Sequence, residues 1–410
     1  FFKMRFIHYD EYKDFLIKDV DYNTPEGRLL FLDTDFSEAI VLCNFLFPED
    51  QMLKDFEVEL GIEKVESFQI IIKHYIAVKK DSDLAQVASK DEENGSLKVD
   101  LTHLLSKSVS RNAFSSGFSD AFETEIPGLI SKLEKCSTSP HYDYETDCLI
   151  LDFWVNEETQ KAFKFYFDSA LNLFQAAQLL LTLNLYSVNE AMKKELHQSS
   201  NLYVNETVPI LPADERIIRI NDFILKKKGV RTPVNIRSLS DGEHQFLHTL
   251  GLCQLYRREN CLFLLDEPET HFNPGWRAKF ISRLRDSFLV EDTEPILRET
   301  LITTHTPFLV SDSKKEYVLL FNKDKKTHQI TTQRPEFNTL GASVNKITME
   351  AFGKTETIGG YAQQKLNELR QRFEDGGDKE AIIEETNRVL GDSVEKILFL
   401  KKVIDSMETE

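Results

Sequence analysis

The apolar and polar residues of this chain follow two patterns, one typical of strands and one of helices. Short runs rich in apolar and β-branched residues occur at Phe68–Val78, Cys148–Val155, Cys261–Leu265 and Glu299–Thr304, and each predicts a strand. From Glu157 to Glu195 apolar residues instead recur every three or four positions. This spacing predicts the longest helical stretch of the chain, broken once or twice. Together the two patterns predict an α/β fold.

Less regular stretches separate these segments. Lys79–Asp100 is polar and contains the acidic run Asp91–Gly95, so we expect a solvated turn or loop between strands there. Arg216–Lys228 predicts a strand or hairpin with a basic tip, Lys226–Arg231, which is either a solvated turn or a phosphate contact. Further helices are predicted at Asp35–Phe47, Asp50–Phe56, Pro274–Leu289 and Gly341–Phe352. Further strands are predicted at Phe1–Asp10, Arg28–Thr34, Tyr317–Asn322 and His328–Thr332, the last two as a hairpin.

The apolar run Cys261–Leu265 leads directly into two adjacent carboxylates, Asp266 and Glu267. An uninterrupted apolar run predicts a strand that is buried on both faces, as in a parallel sheet. The carboxyl ends of such strands are where open α/β sheets bind ligands. One carboxylate could hold Mg²⁺ near a triphosphate, and the other could orient or deprotonate a water molecule. The alternative is a strand that ends in a solvated acidic turn.

Two short stretches flank these carboxylates. Upstream, Ser240 is a good helix N-cap with Glu243 three residues later, which predicts a capping box. The start of that helix offers free N–H groups and a positive dipole end to an anion, and Gly242 allows close backbone approach. Downstream, His305 follows a predicted strand and precedes Pro307.

These three stretches, in this order, resemble the motifs of ATP-binding-cassette ATPases between Arg237 and Asp312. Leu239–Glu243 resembles the signature motif, although Asp241 replaces its first glycine and either tunes phosphate affinity or points away. Leu262–Glu267 resembles the Walker B strand with its catalytic glutamate. The resemblance implies ATP and Mg²⁺ as cofactors and a P-loop NTPase fold. It also implies a role for each matching residue: Glu267 and His305 in catalysis, Asp266 at the metal, and Ser240, Asp241, Gly242, Glu243 and Asn273 in nucleotide binding.

One expected motif is missing from the sequence. No Gly-x-x-x-x-Gly-Lys-Ser/Thr loop occurs in the 410 residues, although such a loop cradles the phosphates in these ATPases. We expect the Walker A strand, loop and helix to precede Phe1. A genuine loss of ATP binding is the alternative.

The resemblance and the composition together suggest four segments. Residues 1–80 are expected to be an incomplete part of the ATPase core, 81–212 a largely helical insertion lobe, and 213–355 the core that carries the motifs. Residues 356–410 are expected to be helices whose apolar stripes pack on each other or dock a partner.

Composition limits the classes of partner. The net charge of −18 argues against a broad surface for nucleic acid, although a local basic patch could exist. Five cysteines show no metal-like pairing, and no signal peptide is visible, which predicts a cytoplasmic protein. The most apolar region, Ala170–Tyr186, carries several amides and predicts a buried helix rather than a membrane span.

The stretches Asp266–Pro274 and Thr339–Val344 are closer to the SMC/RecF/OLD-like branch than to membrane transporters. Within that branch the chain resembles ATPases of bacterial antiphage modules, namely the Septu-type ATPase PtuA with its retron-linked forms and the restriction-associated ATPases. This resemblance implies an ATP-driven switch that forms a homodimer or higher oligomer through ATP-bridged heads and controls a nuclease partner of HNH type. A RecF/SMC-like repair or recombination ATPase that binds DNA directly is the alternative, and a non-hydrolysing scaffold is a third hypothesis.

Overall fold

The computed structural model describes residues 33–47, 51–79, 89–93, 96–102, 128–187, 198, 211–288, 296–324, 326–353 and 358–408. The predicted strand Phe1–Asp10 lies outside these residues, and so does most of the predicted strand Arg28–Thr34, whose last two residues begin a helix. The chain forms two compact units, Phe1–Thr303 and Thr304–Glu410.

The first unit contains seven described α-helices and ten described strands. The helices are α1 (Asp33–Leu46), α2 (Gln51–Leu60), α3 (Leu129–Cys136), α4 (Glu157–Phe167), α5 (Ala170–Thr182), α6 (Asp241–Leu255) and α7 (Pro274–Ser287). The strands are β1 (Ile62–Lys73), β2 (Tyr75–Lys79), β3 (Ser89–Glu93), β4 (Ser96–Asp100), β5 (Ser139–Asp143), β6 (Cys148–Trp154), β7 (Ile218–Lys227), β8 (Val234–Asn235), β9 (Cys261–Asp266) and β10 (Arg298–Thr303).

The largest sheet is antiparallel, with strand order β5-β6-β1-β7-β8. Short turns join β5 to β6 and β7 to β8, which requires these two pairs to be antiparallel, whereas β1 pairs with β6 and β7 through long connections. The sheet's core contains stacked aromatic rings, with the Phe68 and Phe153 centroids 4.4 Å apart. The fold is therefore mixed α/β around a central antiparallel sheet, and parallel pairing is confined to β9 and β10 among the described strands.

The predicted break in the long helical stretch is confirmed between α4 and α5. Asn156 caps α4 by accepting a hydrogen bond from the Thr159 amide, and Ser169 caps α5 in the same way from Asn172. Between them Asp168 has a positive φ of +67° and forms the C-cap of α4. The end of the predicted stretch, residues 188–195, lies outside the described residues.

The solvated turn or loop predicted at Lys79–Asp100 is wrong for residues 89–93 and 96–100, and residues 80–88 and 94–95 lie outside the described residues. Strands β3 and β4 form there and pair with β2 in a three-stranded antiparallel sheet. Val99 in β4 is fully buried. Strand β3 was missed because Ser89–Glu93 contains no apolar residue, whereas β4 does alternate, with Leu97 and Val99 at its apolar positions.

Strands β9 and β10 pair in parallel, as predicted, with Asp266 opposite Thr303. The prediction that both faces are buried is wrong. Phe263 and Leu265 are 6% and 8% exposed, whereas Leu262 and Leu264 are 58% and 54% exposed. Within the part of the chain that the structure describes, other elements cover one face alone. A continuous apolar run cannot reveal this, because its sequence is the same whether one face or both are covered.

The second unit contains α8 (Pro307–Ser311), the predicted hairpin of β11 (Leu320–Lys323) and β12 (Ile330–Gln333), and α9 (Val344–Glu350). Three helices follow, α10 (Gly360–Glu374), α11 (Lys379–Val389) and α12 (Val394–Glu408). They pack on each other around a shared core of Leu366, Leu369, Ile382, Phe399 and Val403.

All five cysteines are free, and four of them are buried. None of the helices in the described ranges is long and apolar enough to cross a membrane. The four-segment division of the sequence stays a prediction; the described residues of 81–212 form both strands and helices.

Candidate functional site

The acidic pair lies at the carboxyl end of the parallel pair β9–β10. Asp266 is exposed and its Oδ1 accepts a hydrogen bond from the Thr303 hydroxyl. The Glu267 amide donates to the Thr303 carbonyl over 3.0 Å and to its Oγ1 over 3.2 Å. One threonine therefore contacts both acidic residues and fixes their position relative to the end of β10.

Glu267 has a strained backbone. Its φ of +44° lies in the left-handed region, which costs a non-glycine residue about 1–3 kcal/mol. Thr270 stabilises this turn, because its Oγ1 donates to the Glu267 carbonyl over 2.9 Å and its amide donates to the same atom over 3.2 Å. The Thr270 hydroxyl also lies 3.4 Å from Glu267 Oε2. The surrounding contacts thus hold Glu267 in one orientation at the end of the strand.

Gln245 on helix α6 contacts the same turn from the other side. Its side chain is fully buried, and its Nε2 donates to the carbonyls of Glu267 and Pro268. Its Oε1 accepts from the His271 amide over 3.2 Å. Gln245 therefore connects the helix that follows the signature-like motif to the turn that follows β9.

The start of helix α6 has the predicted capping box. Glu243 Oε2 accepts from the Ser240 amide over 2.8 Å, and the Ser240 side chain accepts from the Glu243 amide. Glu243 Oε1 also lies 2.5 Å from Lys227 Nζ. Burial by itself raises the pKa of Glu243, but the hydrogen bonds from Lys227 and Ser240 outweigh burial and lower this pKa below its ordinary value. Both oxygens of Glu243 are thus used within the chain.

Gly242 is required by packing inside the protein. A Cβ at this position would lie 2.6 Å from the His271 carbonyl oxygen and 3.5 Å from Trp276 Cζ3. The sequence predicted that this glycine permits a close backbone approach. In the structure the close partner is the turn after β9, so Gly242 and Gln245 hold α6 against the same turn.

The remaining predicted residues lie on three different segments of the chain. Asp241 is exposed in the first turn of α6. Asn273 is exposed and caps α7, with its Oδ1 accepting from the Trp276 amide over 2.9 Å. His305 is exposed and lies two residues beyond β10, at the start of the second unit.

The donor set at the strand end suits Mg²⁺. This ion prefers oxygen ligands and commonly uses one or two carboxylates together with water and substrate phosphates. Asp266 supplies an exposed carboxylate, and Thr303 occupies one of its two oxygens. Among the described residues no group of three or more His, Cys, Asp or Glu side chains could hold a metal ion by itself. The site therefore fits an ion that arrives with a nucleotide and that Asp266 helps to hold.

A comparison with known families supports this assignment. A family model described as "AAA domain, putative AbiEii toxin, Type IV TA system" matches residues 86–311, more than half of the chain. The chain belongs to this family. Its AAA domain is a P-loop ATPase domain that generally uses nucleotide and Mg²⁺. The match includes α6, the acidic pair on β9 and His305, and it extends across most of the predicted insertion. The finer assignment to the SMC/RecF/OLD-like branch stays a prediction.

Three residues of this site were not predicted from the sequence as functional. Thr303, Thr270 and Gln245 all contact Glu267, and they act mainly through its backbone. Gln245 carried one usable signal, since it is an amide in a helix whose other residues are mostly apolar or small. Such a residue must find hydrogen-bond partners when it is buried.

Proposed function

We propose that this protein is an ATP-hydrolysing switch in which Glu267 is the general base and Asp266 helps to hold Mg²⁺. The observation that carries the proposal is the acidic pair at the end of the parallel strands, where Thr303 contacts both residues. Membership of a P-loop ATPase family supports nucleotide as the substrate class.

Hydrolysis of ATP requires a general base and a site that holds the nucleotide. A water molecule next to Glu267 transfers a proton to the carboxylate as its oxygen forms a bond to the γ-phosphorus of ATP. The bond between that phosphorus and the β–γ bridging oxygen breaks, and ADP leaves with phosphate. The Asp266 carboxylate helps to hold a Mg²⁺ ion, whose charge offsets that of the phosphates. We propose His305 as the second catalytic residue, and this role rests on its motif resemblance alone.

Two copies of the chain complete each site in this proposal. The exposed N-terminus of α6, with Ser240 and Asp241, meets the γ-phosphate of a nucleotide that the second copy holds. Asn273 lies at the interface, near its symmetry mate. The assembly is a two-fold symmetric homodimer in which ATP joins the two copies.

The switch is proposed to control an associated nuclease of HNH type in a bacterial antiphage complex. The second unit supports a partner surface, because α12 exposes Val394, Ile397, Leu398 and Ile404 on the side opposite its buried residues. A DNA repair ATPase is the second candidate, since the segment Lys226–Arg231 is basic. Two of its lysines pair with carboxylates, Lys226 with Glu63 and Lys227 with Glu243, which weakens this candidate.

ATP turnover by purified full-length protein tests the catalytic assignment. We expect Glu267→Gln to keep ATP binding and to lose hydrolysis on the order of 10²-fold, the scale of a removed general base. Glu299→Gln is the matched control, because Glu299 is exposed on the neighbouring strand β10. Unchanged turnover in Glu267→Gln would falsify the role of Glu267.

Mixing two inactive variants tests the shared site. Ser240→Arg and Glu267→Gln protomers should each be inactive alone. Their heterodimer contains one site with both lesions and one with neither, so hydrolysis should return to part of the wild-type rate. A monomer that hydrolyses ATP at the full rate would remove the shared-site model.

A further inference from the structure

The contact between Gln245 and the turn after β9 is polar and buried, and packing alone does not require a polar side chain there. The side-chain amide is fully buried and makes three hydrogen bonds, to the carbonyls of Glu267 and Pro268 and to the His271 amide. A buried amide is costly unless it is bonded, and an apolar side chain of the same length would fill the space without that cost.

Gln245 contacts the turn that contains Glu267, whose backbone is strained. Glu267 has its φ at +44°, and its carbonyl accepts from Gln245 as well as from Thr270. Loss of the Gln245 bonds would leave the Pro268 carbonyl without its side-chain donor and would let the strained residue relax. The direction of the Glu267 side chain depends on that backbone conformation.

Helix α6 connects this contact to its exposed first turn. Gln245 lies five residues after Ser240, a rise of about 7.5 Å along the same helix. Gly242, between them, packs against the His271 carbonyl so closely that no side chain fits. A shift of the first turn of α6 is therefore passed to the Glu267–His271 turn at two points.

We propose that Gln245 is a positioning residue that holds Glu267 in its catalytic orientation and links it to helix α6 of the same protomer. The inference rests on the proposed function, in which the first turn of α6 contacts the nucleotide held by the second copy. Nucleotide held by the second copy contacts the first turn of α6, and α6 and Gln245 pass this contact on to Glu267. Nucleotide bound at one site thereby adjusts the general base of the other site.

Steady-state hydrolysis by full-length Gln245→Met protein tests the positioning role. Methionine matches the length of glutamine and removes its hydrogen bonds. The matched control is Gln254→Met on the same helix, because Gln254 is also buried and its Nε2 has no hydrogen-bond partner within the described part of the chain. We expect Gln245→Met to lower kcat at least tenfold, with the KM for ATP and the Tm within the range of Gln254→Met. Equal kcat in the two variants, or a loss of kcat that follows equal losses of Tm and ATP binding, would overturn the inference.

The pH dependence of kcat in the Gln245→Glu variant is a second test, because a purely structural role of Gln245 would not change it. Ionised, the introduced carboxylate repels the two carbonyls; protonated, it can donate one hydrogen bond to them. Burial raises the pKa of such a carboxyl. We expect the kcat of this variant, relative to wild type, to rise as the pH is lowered from 8 to 6 by at least threefold. A ratio that does not change with pH would contradict the inference.

The heterodimer of Ser240→Arg and Glu267→Gln protomers tests whether the action is within one protomer. Its single intact site uses the Glu267 of the Ser240→Arg protomer. Adding Gln245→Met to that protomer should lower the recovered activity at least tenfold, and adding it to the Glu267→Gln protomer should leave most of it. The reverse result would overturn the inference while the shared site stands. Absence of Glu267-dependent hydrolysis in wild type would instead overturn the proposed function, and this inference with it.

Discussion

Thr303 and Asp266 lie opposite each other at the carboxyl ends of two parallel strands, and the Thr303 hydroxyl donates a hydrogen bond to the Asp266 carboxylate. The same hydroxyl oxygen accepts from the Glu267 amide. This threonine can therefore orient both acidic residues without contacting a substrate.

Thr303→Val should weaken Mg²⁺-dependent hydrolysis. Valine keeps the shape of threonine and removes the hydroxyl, so Asp266 loses its donor and Glu267 loses one acceptor. A hydrogen bond to a charged group contributes about 1.5–3 kcal/mol, which corresponds to roughly a 10- to 100-fold rise in the Mg²⁺ concentration needed for half-maximal rate. Thr303→Ser, which keeps the hydroxyl, is the control and should stay close to wild type. If both variants need the same Mg²⁺ concentration as wild type, Thr303 does not orient the site.

Gly242→Ala should destabilise the packing of α6. The added methyl group would lie 2.6 Å from a backbone carbonyl oxygen, so the helix or the turn must move. Overpacking of this kind typically costs about 1–3 kcal/mol in the free energy of unfolding. Thermal unfolding measures the change. Gly391→Ala is the control, because a Cβ there would meet no described residue within 4 Å. Equal Tm values for the two variants would show that the turn after β9 adapts.

The sequence was most informative where a short local pattern determines the structure. The Ser240–Glu243 capping box and the apolar run before Asp266 were both predictable, because each depends on neighbouring residues. Thr303 and Gln245 were not predictable as site residues. The role of Thr303 depends on the register between two strands 37 residues apart, and that of Gln245 depends on backbone carbonyls 22 and 23 residues away.

The errors in the fold have the same origin. Periodicity indicated strands at Phe68–Val78 and Cys148–Val155, but it does not specify whether paired strands are antiparallel. Nor could it show that Leu262 and Leu264 are exposed in the described structure, since burial depends on what lies across the sheet. Long-range contacts decide both properties, and one sequence without structure contains little information about them.

His248 should make the protein less stable as the pH falls below 6.5. This residue on α6 is buried, and its Nε2 has no hydrogen-bond partner among the residues that the structure describes. Burial lowers its pKa to about 3 from its ordinary value of 6.5, with a smaller contribution from the nearby His244. Between these two pH values the unfolded chain binds a proton that the folded chain does not bind. The free energy of unfolding should therefore fall by about 1.4 kcal/mol per pH unit in this window from His248 alone.

Chemical denaturation of wild type and His248→Leu between pH 4 and pH 7 measures this contribution. The leucine variant lacks the titrating group, so its stability should decline less steeply with acidification. His328→Leu is the control, because His328 is exposed in the second unit. Parallel stability curves for wild type and His248→Leu would show that the His248 imidazole does not resist protonation in the folded protein.

The apolar residues Val394, Ile397, Leu398 and Ile404 form an exposed stripe on α12. Charge placed on this stripe should prevent partner binding without unfolding the second unit. Deleting the residues from Asp378 onward is a poor test, because it removes Ile382, Phe399 and Val403, which α10 needs for its own core. Ile397 and Ile404 are better targets, since they are 61% and 45% exposed and lie two helical turns apart on one face. We expect Ile397→Glu with Ile404→Glu to keep the Tm within about 2 °C, because exposed substitutions typically change stability by no more than about 0.5 kcal/mol.

Co-purification with the proposed nuclease partner measures the effect on binding. The double variant should lose at least nine tenths of the bound partner, because two buried apolar contacts would be replaced by unpaired charges. Asn387→Glu is the control, since it adds a negative charge at an exposed position of α11 outside the stripe. ATP hydrolysis by the double variant should match wild type, because α12 belongs to the unit that does not contain the acidic pair. Full partner recovery with the double variant would mean that the partner binds elsewhere. Equal loss with Asn387→Glu would mean that net charge, and not the apolar stripe, governs the association.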